Sequence, residues 1–83
     1  MRPEWWDWEL VFSGHAELRM EQRGVSEVDV RSMLQGARGH SPSVVPGRFV
    51  IDAAHAGRPW VLIVEPDPAE RLLVVVTVYQ VSR

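Results

Sequence analysis

The hydrophobic pattern changes period twice along this chain. Trp8 to Phe12 (Trp-Glu-Leu-Val-Phe) is short and mostly apolar, as a strand is. Ser13 follows, and a serine hydroxyl accepts well from a free amide at a helix start. The chain then reads as helix from about 14 to 23 and meets Gly24, which suits the left-handed turn that closes a helix. Ser26 and Asp29 have capping-box spacing and open a second helix that runs to about Gln35, before Gly36. Val30, Met33 and Leu34 form its apolar stripe. Residues 36–47 are rich in glycine, serine and proline and read as a loop. Three extended runs come next: Arg48 to Ala53, Pro59 to Glu65 with Trp60, Leu62 and Val64 on one face, and Leu72 to Val81, dense in β-branched residues. His55 to Arg58 and Pro66 to Ala69 are turns, so these strands form an antiparallel meander. The predicted order is β-α-α-β-β-β, an α+β domain with a helical hairpin on one face of a small antiparallel sheet.

Composition narrows the picture. With 83 residues the chain is one domain, 1–83, too short for a dinucleotide-binding fold with a substrate domain or for a (β/α)8 barrel. Apolar residues make up 46%, which supports a core and argues against disorder. There is no cysteine, hence no disulfide framework and no thiolate nucleophile or metal ligand. The start lacks an apolar stretch followed by a small-residue cleavage site. The longest apolar runs, Val61 to Val64 and Leu72 to Val76, are too short to span a bilayer. A cytoplasmic protein without membrane contact is the expectation.

The charge has a location. All nine cationic side chains are arginine, and the net charge is −2. Residues 1–13 set Arg2 against Glu4, Asp7 and Glu9, while the rest of the domain is balanced. Holding nucleic acid by bulk charge is therefore disfavoured, but a local arginine site is not.

The first helix holds the candidate site. On a wheel turning about 100° per residue, His15, Arg19 and Arg23 form one stripe. Leu18 lies on one flank, Ala16 and Met20 on the other, and Glu17 and Glu21 lie opposite. The stripe is therefore expected to point toward the sheet. Guanidinium groups placed there are costly unless paired. They either brace helix against sheet or rim a cleft that takes an anion.

The stretch from His15 to Gly24 reads H-A-x-x-R-x-x-x-R-G and the chain closes on Val-Thr-Val-Tyr, Val76 to Tyr79. Over roughly residues 10–81 this resembles a family of small bacterial proteins of unknown function related to the RelE-like and BrnT-like toxins. The resemblance implies the RelE-like fold, a helical pair on a curved antiparallel sheet. It also implies kinship with the endoribonuclease toxins of toxin–antitoxin modules, and so RNA and an antitoxin as partners. RelE-like toxins are usually basic and often use lysine in catalysis, whereas this chain is slightly acidic and has none.

Metal-free RNA cleavage needs a base for the 2′-hydroxyl, cations for the phosphate and an acid for the leaving oxygen. Histidine moves protons near neutral pH, and arginine grips phosphate with two parallel bonds. His15 is thus the candidate proton carrier, Arg19 the clamp, and Arg23 its extension or brace. Thr77 and Tyr79 share one face of the last strand. If that face lies beneath the stripe, Tyr79 orients the phosphate or donates a proton; otherwise it is a packed core residue. His40, His55 and Asp52 lack metal-ligand spacing, and the two histidines fall in predicted loops. Neither metal nor cofactor is expected. Trp5, Trp6 and Trp8 crowd the acidic N-terminal segment, 1–12. They either cap the core or present an aromatic patch for self-association or an antitoxin.

Overall fold

The structure, a computed structural model, describes residues 2–81. A 3-10 turn, Glu4–Asp7, leads into β1, Glu9–Phe12. Helices α1, Gly14–Arg23, and α2, Glu27–Gln35, follow. Four strands complete the chain: β2, Gly39–Pro42; β3, Phe49–His55; β4, Arg58–Asp67; and β5, Leu72–Gln80. They form one five-stranded sheet in the order β1-β5-β4-β3-β2. The architecture is α+β, as the pattern predicts. Among the described residues, no helix is long and apolar enough to cross a membrane.

Two features of the sheet depart from expectation. It is mixed, because β1 runs parallel to β5, with Leu10 beside Leu73 and Phe12 beside Val75. It also gains β2 inside the stretch 36–47 that reads as a loop, and His40 therefore lies on a strand. Gly39 to Pro42 carry no apolar alternation, so only backbone pairing with Asp52 to Phe49 of β3 makes them a strand. Pro42 is tolerated there because β2 is an edge. His55 likewise ends β3 instead of standing in a loop.

Turn chemistry fixes the meander. Ala56 and Gly57 join β3 to β4 with φ of 53° and 76°. That left-handed pair is the two-residue turn whose twist matches the flanking strands. Leu62 pairs with Ile51 on one side and Val78 on the other, all three fully buried. With Leu10, Leu73, Val75, Trp60 and Val64 they form the inner face, under Ala16, Met20, Val30, Met33 and Leu34 of the helices.

One irregularity decides which side chains of β5 face the helices. On the β4–β5 ladder, Ile63 pairs with Thr77 but Val64 pairs with Val75, so Val76 is an extra residue in β5. Such a bulge shifts the alternation by one. Before it Leu73 and Val75 face inward; after it Val78 does.

The capping box of α2 forms as the sequence predicts. The Ser26 hydroxyl accepts from the Asp29 amide at 3.1 Å, and the Asp29 carboxylate accepts from the Ser26 amide at 2.9 Å. The Ser26 backbone N–H, then its side-chain hydrogen bond and the nearby His55, hold the Asp29 carboxyl below its ordinary value. A carboxylate depressed in the folded state adds stability above its unfolded pKa of about 3.9. That stability is lost as pH falls through the folded value. Thermal melts from pH 6 downward should therefore show Asp29→Asn losing less stability on acidification than wild type. Parallel acid profiles would refute this role.

Candidate functional site

Helix α1 is held at both ends. The Ser13 hydroxyl accepts from the Ala16 amide at 3.0 Å and donates to the Val76 carbonyl at 2.9 Å. The Ser13 amide donates to the Val75 carbonyl at 3.0 Å, so the helix starts on the bulge of β5. Gly24 closes it at φ 69°, its amide directed to the carbonyls of Glu21 and Met20. Loss of the cap and of the anchor together predicts that Ser13→Ala costs about 1–2 kcal/mol. A denaturant midpoint equal to wild type would show that the anchor contributes nothing.

Helix α1 is rotated away from its expected setting. Ala16 and Met20 face the core, at 0% and 5% exposure. His15 and Arg23 are exposed, and Arg19 is half-buried. The stripe therefore does not point toward the sheet but runs along the solvent side of the Ala16–Met20 seam. The reason is energetic: burying two guanidinium groups without carboxylates costs several kcal/mol each. Small Ala16 lets the helix approach the strands closely instead.

Nor does the stripe brace the fold. Arg19 donates to Gln22 of its own helix at 3.4 Å. Among the described residues His15 and Arg23 make no side-chain hydrogen bond, and none of the three joins an ion pair. Arg23 does sit in the last turn, where a cation complements the helix dipole.

Tyr79 is not brought beneath α1. Strict alternation from Leu73 and Val75 would place Thr77 and Tyr79 on the inner face. The bulge at Val76 reverses this: Val78 turns inward, and Tyr79, 40% exposed, pairs with Val61 on the uncovered face. Thr77 accompanies it, opposite Ile63. The four candidates thus separate into a cationic helix flank and a tyrosine on the opposite face of the sheet.

The tryptophans resolve toward the core. Trp5 and Trp6 are 9% and 6% exposed and stack at 5.5 Å. Trp5 meets Phe49 at 4.9 Å, and His40 lies 5.5 Å from Trp6. The Arg2 guanidinium covers Trp6 at 4.9 Å, and Arg71 covers Trp8 at 5.2 Å. The indole N–H groups of Trp6, Trp8 and Trp60 are buried without partners among the described residues.

Two grooves went unforeseen. One of about 190 Å³ lies between the N-terminal segment and α2, bordered by Arg2, Asp7, Trp8 and Arg31. The other, about 290 Å³, is bordered by Arg38, Ala54, Arg58 and Pro59 near the β3–β4 turn. Neither includes His15, Arg19 or Arg23. The lining arginines come from separate elements, with Arg31 on α2 and Arg58 at the start of β4, so no local sequence pattern reveals these grooves. Among the described residues no three His, Cys, Asp or Glu side chains gather as metal ligands.

Together these features define a small α+β domain whose first helix carries a His/Arg flank without ion-pair partners among the described residues. Residues 12–80 match the family model described as a domain of unknown function, DUF4258, and the chain belongs to that family. No curated protein and no solved structure matches it.

Proposed function

We propose that this protein is a cytoplasmic, metal-independent endoribonuclease of RelE/BrnT-like type, the toxin of a bacterial toxin–antitoxin module. The observation that carries this reading is the flank itself: one imidazole and two guanidinium groups, at positions 15, 19 and 23, without bracing partners among the described residues. Successive members are about 6 Å apart along the helix, so one strand of RNA can lie along them. His15 takes the 2′-hydroxyl proton while Arg19 and Arg23 hold the phosphate. The 2′-oxygen then bonds to phosphorus and the 5′-oxygen leaves, taking its proton from water. The H-A-x-x-R-x-x-x-R-G stretch and the helical pair on a sheet support the kinship. Tyr79, facing away, has no part in this scheme.

The test is cleavage of a labelled single-stranded RNA by the purified chain, beside induction of the chain in growing bacteria. Cleavage and growth arrest that vanish in His15→Ala/Arg19→Ala are expected. Intact RNA and normal growth with the wild type would end the proposal.

A further inference from the structure

The second groove gathers two cations at one corner of the sheet, where β2 begins, β3 ends and β4 begins. Arg58 pairs with His55 across the β3–β4 turn and alternates with Trp60 and Leu62, which are buried against the helices. Alternation therefore turns Arg58 to the helix-covered side. The Arg38 amide donates to the Asp52 carbonyl at 2.8 Å and extends the β2–β3 ladder by one residue. Gly39, the next residue, pairs with Asp52, whose neighbours Ile51 and Ala53 are buried. Arg38 thus falls on the same side as Arg58, and the Asp52 carboxylate falls on the other.

Both arginines are exposed and border the one groove of about 290 Å³. Among the described residues neither makes a side-chain hydrogen bond or joins an ion pair. Ala54, Gly57 and Pro59 complete the lining, so it holds no carboxylate and its small walls leave it open. Asp29, the acid that faces His55 on this side, is already held by the Ser26 amide at 2.9 Å. The Gly57 amide is free as well: the turn at φ 76° sets it outside the ladder, and it makes no hydrogen bond among the described residues. Eleven acids outnumber nine arginines in this chain. A groove with two cations and no acid is therefore a local exception, and like charges held together this way favour an anion between them.

The lining selects the anion. Two guanidinium groups present two planar forks of donors and two positive charges. A dianion with three terminal oxygens answers both, whereas a monocarboxylate leaves one charge unmatched. Ala54 and Pro59 offer too little apolar wall to hold an organic acid by its body. We infer that this corner binds a phosphate monoester, with Arg38 and Arg58 gripping the dianion and the Gly57 amide donating to it. The groove has room for part of the alcohol that the phosphate esterifies. Neither arginine belongs to the α1 flank, so the inference stands whether or not that flank cleaves RNA.

Amide-resolved NMR titration of the full chain tests it at about pH 7.5, above the second phosphate pKa of about 6. The probes are inorganic phosphate, a short 5′-phosphorylated oligoribonucleotide and the same strand without its terminal phosphate. Saturable binding of a phosphate-monoester or phosphate probe with Kd below about 1 mM is expected, with shifts at the Ala54 and Gly57 amides. Equal affinity for inorganic phosphate and the phosphorylated strand would mark a small phosphorylated molecule as the ligand; a tighter hold on the strand would mark an RNA end. Arg38→Gln and Arg58→Gln should each weaken binding about tenfold or more at an unchanged melting temperature. Arg58→Lys should recover only part, since it keeps the charge and loses the fork. Three results would overturn the inference: no phosphate probe bound below about 1 mM, equal affinity for the strand without its terminal phosphate, or a loss that follows Arg19→Ala/Arg23→Ala and not Arg58→Gln. The last would leave the reading of the α1 flank intact, so the two proposals fail separately.

Discussion

Trp6→Ala is expected to remove about 3–5 kcal/mol, the usual cost of deleting a buried tryptophan. A domain of this size holds about 5–15 kcal/mol in total, and each kcal/mol moves its melting temperature by about 4–8 °C. The variant should therefore melt roughly 15 °C or more below wild type. The cause is packing. Trp6 is 6% exposed, stacks on Trp5 and lies under the Arg2 guanidinium. Through Trp5 the stack reaches Phe49 on β3, so the first residues of the chain close the open end of the core. Backbone bonds from Trp6 to Pro3 and from Trp8 to Trp5, both 3.1 Å, hold the turn that delivers these rings. Trp6→Phe should cost far less, because the indole N–H it removes is buried without a partner among the described residues. Thermal unfolding followed by circular dichroism separates the outcomes. Equal melting temperatures for Trp6→Ala and wild type would mean that the segment is an appendage and not core.

Local chemistry was legible in the sequence. The helix starts at Ser13, Ser26 and Asp29 depend on side-chain-to-backbone bonds within three residues, and the end at Gly24 on its left-handed backbone; each forms as read. The meander followed from its turns, although β4 runs on through Pro66 and Asp67, which pair with Leu73 and Leu72, so the second turn falls at 68–71 and not at 66–69. Features that depend on distant partners were not legible. Strand β2 is polar and exists only because β3 offers a backbone edge. The parallel seating of β1 beside β5 cannot be read from so short a strand. The rotation of α1 was ambiguous because both Leu18 and the Ala16–Met20 pair are apolar. Ser13 settles it by tying the helix start to Val75 and Val76, which leaves Leu18 52% exposed. The bulge at Val76 has no signature within an unbroken aliphatic run, yet it decides the face of Tyr79. A single extra residue thus removed one member of the candidate site.

The corrected rotation also changes how the site can be tested. Buried arginines would have tied activity to stability; a solvent-side flank separates them. His15→Ala lies at an exposed position, so its stability is expected within about 0.5 kcal/mol of wild type. A positioned proton carrier contributes about 10²–10⁴-fold in rate, so cleavage by His15→Ala should fall by that factor at an unchanged melting temperature. Arg19→Lys should keep the charge but lose the two-pronged grip on phosphate, and so should not restore full activity. Salt adds an independent measure. Two arginines on a single strand predict that log K for RNA binding falls with log salt at a slope of about −1.4. A much steeper slope would assign binding to additional cations beyond Arg19 and Arg23. If His15→Ala cleaves as fast as wild type, the imidazole moves no proton, and the flank can do no more than bind. The net charge of −2 makes the test sharp, since the chain has no general excess of cations to hide the loss of two.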